Sequence, residues 1–319
     1  MKFLLTAINA KFIHSNPAIY SLRAGVGEKL QPYVELAEFT INESLESILE
    51  GIWKRQPKVI GFSCYIWNWK LIREILTELP KILPDTEIWL GGPEVTYDGP
   101  GLLREFPQVT GIMVGEGEVT FREVLGQYVR EAESTGQSEQ QPEPDSIEQQ
   151  AADRTGTVAG KSMVERFGQI PGLCLASGYT APRDLTDLTT LPFLYEDMEP
   201  FTNRIIYYET SRGCPYRCSY CLSSIDKKVR LRDIDVVKRE LQFFLDQNVK
   251  QVKFIDRTFN CDHKHAMEIW EYIYKHDNGV TNFHFEISAD ILREEEIVLL
   301  NRFRPGLAQL EIGVQSTNP

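Results

Sequence analysis

The stretch Arg204-Ile-Ile-Tyr-Tyr-Glu-Thr-Ser-Arg-Gly-Cys-Pro-Tyr-Arg-Cys-Ser-Tyr-Cys-Leu222 begins as a β-branched and aromatic run and passes, at Gly213, into a loop bearing Cys214, Cys218 and Cys221. Soft sulfur donors gathered on one loop after a strand suit an iron–sulfur cluster or zinc, and not a hard cation. A structural zinc site takes four protein ligands, and the nearest histidine, His263, lies roughly forty residues further on. Three cysteines on a four-iron cluster leave one iron open, which a cluster needs if it is to chelate a small molecule. A zinc knuckle or a set of buried thiols is the competing account.

Downstream, strand patterns at Ile205–Thr210, Gln251–Ile255, Phe283–Ser288 and Gln309–Val314 alternate with helical ones. The latter place Val237, Leu241, Phe244 and Leu245, then Met267, Trp270, Ile273 and Tyr274, on single faces. This alternation predicts a β/α barrel. The chain stops at Pro319, just after the fourth strand, so residues 204–319 are expected to form an incomplete barrel with an uncovered edge. Catalytic groups of such barrels gather at the carboxyl ends of the strands. That marks Asp256 on the second strand, and Glu286 and Ser288 on the third.

Upstream, residues 1–130 carry five strand patterns: Lys2–Asn9, Val34–Ile41, Lys58–Ile66, Glu87–Gly92 and Gly111–Gly115. Helical spacing between them (Leu45, Ile48, Leu49, Ile52, Trp53; Leu71, Ile72, Ile75, Leu76, Leu79) predicts an α/β, Rossmann-like, doubly wound parallel sheet. Its ligand should sit beyond the carboxyl ends of the strands. Three glycine-bearing signals lie on that edge: Gly61-Phe-Ser63, Gly91-Gly-Pro-Glu-Val-Thr96 and Val114-Gly-Glu-Gly-Glu118. Glycine there lets backbone approach a ligand closely or take a positive φ.

The charge is distributed unevenly. The 319 residues sum to −12, yet the acidic, Gln- and Ser-rich stretch from Glu131 to Gly160 holds seven acids against Arg154, and Phe201–Asn260 holds twelve Lys and Arg against seven acids. Residues 131–169 therefore read as an acidic flexible linker or loop, and 170–203, punctuated by Pro171, Gly172, Gly178, Pro182 and Pro192, as a connector. The acidic total argues against a chain that coats nucleic acid or an anionic membrane. No apolar run approaches the roughly 20 residues of a membrane span. Six cysteines without a secretory signal suggest a reducing, cytoplasmic setting, with Cys64, Cys174 and Cys261 as free thiols.

The cysteine triplet, with Tyr220 just before its last member, resembles the hallmark of the radical S-adenosylmethionine (SAM) superfamily. The resemblance implies a 4Fe-4S cluster on Cys214, Cys218 and Cys221 whose free iron holds SAM, and an electron that cleaves the sulfonium to a 5'-deoxyadenosyl radical. It implies that Tyr220 contacts the adenine. Asp256, Glu286, Ser288, Glu311 and Gln315 become candidate contacts of the SAM amino, carboxylate and ribose groups. Such chemistry belongs to the cofactors, while the protein holds SAM and excludes water.

Joined to that domain, the N-terminal half resembles the cobalamin-binding domain of cobalamin-dependent radical SAM proteins. The resemblance implies that Ser63, Gly91, Gly92, Gly115, Glu116 and Gly117 line the cobalamin slot. Domains that supply a lower cobalt ligand carry Asp-x-His-x-x-Gly after the first strand, whereas Lys11-Phe-Ile-His14-Ser-Asn-Pro17 has Phe12 and Pro17 at the Asp and Gly positions. Base-off cobalamin without histidine ligation is therefore expected. Trp67 and Trp69 either flank the corrin or pack at a helix start.

The implied activity is methyl transfer to an unactivated centre of a small molecule, with an electron donor such as flavodoxin or ferredoxin. Two other readings stand beside it. One is a radical SAM RNA-modifying enzyme, motivated by the basic region but lacking the extra N-terminal cysteines such enzymes carry. The other is a non-catalytic cobalamin- or cluster-binding fragment.

Overall fold

All seven side chains of Phe3–Asn9 (β1) are buried, as expected of a parallel strand covered by helices on both faces. In the computed structural model, residues 1–136, 162–226, 228–314 and 316 are described. The chain divides into one unit of Met1–Phe12 and Asn16–Thr186 and a second of Ile13–Ser15 and Asp187–Pro319.

In the first unit, β1 is followed by Pro17–Gly25 (α1), Val34–Thr40 (β2), Leu45–Trp53 (α2), Val59–Ser63 (β3), Trp69–Ile82 (α3), Glu87–Gly91 (β4), Gly99–Glu105 (α4), Val109–Met113 (β5) and Gly117–Gly136 (α5). The parallel order β2-β1-β3-β4-β5 reverses direction between β1 and β3. Two cores flank this sheet. Ile48, Ile52, Ile72, Ile75, Leu76, Leu79 and Leu103 of α2–α4 pack on one face, and Ile19, Phe121, Val124 and Leu125 of α1 and α5 on the other. The expected doubly wound architecture is present, with strand ends displaced by one to three residues at turns.

The expected linker and connector are partly ordered elements. Residues 131–136 continue α5, and Met163–Phe167 form α6; residues 137–161 lie outside the described part. Leu173–Leu175 (β6) pairs antiparallel with β5, and Gly178–Tyr179 (β7) with β6. Residues 170–186 thus extend the N-terminal sheet, and only the rest of the supposed connector belongs to the second unit. Alternation explains the hairpin: Leu173 and Leu175 enter one core and Cys174 the other.

Helix α6 is fastened by Arg166. Its buried guanidinium pairs with Glu87 at 3.0 Å and Glu131 at 2.9 Å, over the rings of Tyr128 and Phe167. Withdrawing the cation leaves two carboxylates facing each other, so R166A is expected to lower the unfolding free energy of this unit by about 3 kcal/mol. Urea titration followed by circular dichroism checks it; a loss under about 1 kcal/mol would mean that the network is a solvated surface pairing.

The second unit holds Ile206–Tyr208 (β8), Ser211–Arg212 (β9), Arg230–Leu231 (β10), Ile234–Asp246 (α7), Gln251–Phe254 (β11), His263–Lys275 (α8), Asn282–Ile287 (β12), Glu294–Leu300 (α9) and Ala308–Ile312 (β13). Strands β8, β11, β12 and β13 form a parallel sheet in the order β13-β12-β11-β8, the β/α partial barrel expected. One face is apolar: Tyr208, Phe254 and Phe285 form an aromatic chain that reaches Phe259 and Trp270. Tyr207, Lys253, His284, Glu286 and Glu311 alternate onto the opposite face.

Candidate functional site

Strands β9 and β10 pair antiparallel, Arg212 with Arg230 and Ser211 with Leu231, and so close the base of the loop that carries the three cysteines. Gly213 has φ +97°, and a Cβ there would lie 2.4 Å from the Lys228 carbonyl oxygen, so only glycine fits this crossing. The Cys214 N–H donates to the Asp226 carbonyl at 3.1 Å, and Arg230 holds the Asp226 carboxylate at 3.0 Å. Cys214 is buried, its Sγ 3.6 Å from Thr258 Oγ1, whereas Cys218 and Cys221 are exposed on a turn closed by Cys221 N–H to Cys218 C=O.

Among the described residues no three Cys, His, Asp or Glu side chains are grouped closely enough to hold a metal ion. The three thiols therefore share a clasped loop without being drawn into one coordination shell. His263, the histidine nearest in sequence, faces Glu296 at 2.9 Å. A donor set of three thiols on one loop fits a cluster with an open iron better than tetrahedral zinc.

Asp256 follows the carboxyl end of β11. It is buried on the helix-facing side of the sheet, where it accepts hydrogen bonds from the Thr210 N–H (3.1 Å), the Thr210 hydroxyl (2.7 Å) and the Ser211 hydroxyl (2.5 Å). These bonds hold the segment between β8 and β9. Strand parity separates it from Glu286 and Ser288: Val252, Phe254 and Asp256 are buried in alternation with Gln251, Lys253 and Ile255.

Ser288 accepts from the Tyr216 hydroxyl at 3.2 Å and donates to Asp290 at 2.6 Å, which ties the cysteine loop to the end of β12. Its backbone exchanges two 2.9 Å hydrogen bonds with the buried Asn260 side chain. Glu311 pairs with Lys253 at 2.9 Å, and Glu286 lies 3.6 Å from the same ammonium. The hydrogen bond from Lys253 holds Glu311 below the usual carboxylate range, so it stays ionised. His284, its Nε2 3.1 Å from Glu311, is depressed by burial and then by Lys253. Tyr220 is 77% exposed. Gln315 lies outside the described residues. Neither Lys253 nor Tyr216 was marked by the sequence patterns, although Lys253, set between Val252 and Phe254, is a visible signal.

On the N-terminal edge, β-register sets Ser63 beside Gly91 and Gly91 beside Met113, so the glycine-bearing loops are neighbours. Gly92 has φ +110°, and a Cβ would lie 2.5 Å from the Cys64 carbonyl oxygen; it is required where two loops cross. Gly91 makes no such close approach, Gly115 has open space around it, and Gly117 lies against Leu22. Glu116 accepts from the Thr186 N–H at 2.6 Å. The Ser63 hydroxyl accepts from Asn16 Nδ2 at 2.9 Å. Phe12, Ile66, Trp67 and Tyr97 are exposed at this edge, Ile66 by 80%, and Trp67 stacks on Tyr65. Trp69 packs against the core beside Phe106. His14 belongs to the second unit, where it bridges Ile205 and shares a 2.5 Å hydrogen bond with the Tyr207 hydroxyl. Cys64 is fully buried, which pushes its thiol well up, and Cys261 is raised to about 11 by burial and then by Asp256 and Asp262.

Residues 4–125 match the family model of the B12 binding domain, and residues 208–319 match that of the Radical SAM superfamily. A curated relative, the 2-(S-pantetheinyl)-carbapenam-3-carboxylate methyltransferase of Streptantibioticus cattleyicolor, is 27% identical over 228 residues, covering 68% of this chain and 29% of its own. The cobalamin-dependent radical SAM methyltransferase TokK of Streptomyces tokunonensis is 24% identical, over 64% of this chain and 28% of its own. The chain thus spans under a third of these two relatives. The solved structure of the radical SAM methyltransferase TsrM from Kitasatospora setae, with tryptophan and a SAM analogue bound, superposes with a TM-score of 0.67 at 18% identity, covering 100% of this chain and 60% of that one. That likeness shows the fold. Among the described residues no helix is long and apolar enough to cross a membrane.

The Asp256 bracket makes a stability prediction. D256A strands the buried Thr210 N–H and is expected to cost about 3 kcal/mol. D256N keeps the acceptor and lets both hydroxyls accept from its amide, so it should cost under about 1 kcal/mol. Burial raises the Asp256 carboxyl despite its hydrogen bonds. A folded-state value above the unfolded one means that the wild type gains stability as pH falls through the raised value, from above the ordinary carboxyl value of about 4. D256N lacks that gain. Denaturant titrations at several pH values check it, and equal pH dependence in wild type and D256N would contradict the assignment.

Proposed function

We propose that this chain, which joins a B12 binding domain to a Radical SAM superfamily domain and is homologous to the cobalamin-dependent radical SAM methyltransferases, takes part in methyl transfer to an unactivated centre of a small-molecule substrate. The observation that carries the proposal is the three-thiol loop clasped between β9 and β10, in the same chain as a doubly wound sheet with its glycine loops and Ser63 at one edge. Cys214, Cys218 and Cys221 would hold a 4Fe-4S cluster. Cys214 is the buried anchor, and Cys218 and Cys221 lie on an exposed turn that can close on the metal.

When bound, the cluster and SAM supply the 5'-deoxyadenosyl radical, and cobalamin supplies the methyl group. The protein's own part is to hold and orient these groups and to keep water from them. Glu286, Ser288 and Glu311 line one polar face with Lys253, and Glu311, kept ionised by that lysine, suits a cationic group of SAM. Tyr220, exposed beside Cys221, would lie on the adenine. Ser63, Gly91, Gly92, Gly115, Glu116 and Gly117 would line the cobalamin slot, with the apolar rim of Phe12, Ile66, Trp67 and Tyr97 suited to the corrin edge. His14, engaged by Tyr207, is not assigned to cobalt. The electron donor would be a flavodoxin or ferredoxin.

Anaerobic reconstitution of the whole chain tests this. The expected outcome is four irons per chain, a broad iron–sulfur absorbance, and conversion of SAM to 5'-deoxyadenosine under a chemical reductant. Each of C214A, C218A and C221A should abolish the turnover. Uptake of one zinc with no iron would overturn the proposal.

A further inference from the structure

Strand order reverses between β1 and β3, and a doubly wound sheet binds its ligand beyond the carboxyl ends of the strands at such a point. Asn16 and Ser63 meet there, one at the start of α1 and the other at the end of β3. The Asn16 side chain is almost fully buried, and each of its polar atoms is committed. Its Oδ1 accepts from the Ile19 N–H as the cap of α1 (3.4 Å), and Nδ2 donates to Ser63 Oγ at 2.9 Å. The capping bond fixes which way the amide faces, since only the oxygen can accept from an N–H.

The frame around this pair is tied by hydrogen bonds. Glu38 accepts from the Asn16 N–H (3.0 Å), Asn9 Nδ2 (2.9 Å) and the Tyr20 hydroxyl (2.8 Å). Asn68, fully buried, donates to the Ser63 carbonyl at 3.0 Å and the Ile8 carbonyl at 3.1 Å. A serine hydroxyl has one hydrogen and two acceptor positions. The Asn16 amide takes an acceptor position, and among the described residues no group accepts the hydrogen of the half-buried Ser63 hydroxyl.

We infer that Asn16 is a positioning residue that turns Ser63 into a dedicated hydrogen-bond donor, aimed at an acceptor atom in the nucleotide tail of a corrinoid. The inference rests on the cobalamin reading above and deepens it. Asn16 supplies the donor that a hydroxyl would otherwise meet by donating elsewhere, so the Ser63 O–H is left for the ligand at no cost in reorganisation. The donor reads the tail and not the corrin ring.

The discriminating probe is a pair of corrinoids, cobalamin and cobinamide, the latter lacking the nucleotide tail, titrated by absorbance into the intact chain. Wild type is expected to prefer cobalamin. N16D preserves the α1 cap but removes the Nδ2 donor and offers a carboxylate that captures the Ser63 hydrogen, so that preference should shrink about tenfold, on the order of one hydrogen bond. Cobinamide affinity should stay unchanged, while the unfolding temperature falls because the new buried carboxylate lies near Glu38. S63A should lose the same preference, and N16D should add nothing in the S63A background. Equal weakening toward both corrinoids, or an undiminished preference in N16D, would overturn the role of Asn16 while leaving the cobalamin reading in place. Binding of neither corrinoid by wild type would overturn that reading and the inference with it.

Discussion

A loop that presents three thiols has to be held at both ends, because free sulfur donors meet one another or a stray ion as readily as a cluster. Here the hold is made of backbone. Gly213 crosses Lys228 at a distance no side chain tolerates, and β9 and β10 pair on either side of the loop. The buried Asp256 gathers Thr210 and Ser211. An ionisable group in such a place is costly unless its acceptor positions are met; three donors meet most of them. The position of Cys214 follows from this bracket, and the polar ends of β11 and β12 are tied to the same loop through Thr258 and through Tyr216 with Ser288.

The two units apply one principle differently. Both lay parallel strands so that the following loops share an edge. In the first, helices cover both faces, so β1 and β3 are apolar at nearly every position. In the second, α7–α9 accompany a face built of Tyr208, Phe254 and Phe285, and the other face carries Lys253, Glu286 and Glu311. A strand with one polar face can place charge beside a ligand without burying it unpaired.

Much of this was legible in the residues. Nine strand patterns fall on observed strands, because runs of Val, Ile, Leu and Phe bounded by turn residues leave few alternatives. The thiol loop was plain from its spacing. What escaped came from tertiary pairing. Leu173–Leu175 is too short to announce itself, and only its two-sided burial makes it a strand. Asp256 was grouped with Glu286 and Ser288 by position along the strand, while parity in Gln251–Asp256 assigns it to the opposite face. Asn16 carries no spacing signal; its partners Glu38 and Ser63 are distant in sequence and meet only once β1, β2 and β3 are aligned.

The central claim is that three side chains hold the cluster and a fourth corner admits SAM. Electron paramagnetic resonance of the chemically reduced, anaerobically reconstituted chain, recorded with and without SAM, addresses it most directly. The account predicts a reduced 4Fe-4S signal whose g-values shift when SAM is added. A reduced-cluster signal indifferent to SAM would place a fourth protein ligand on the metal and contradict it.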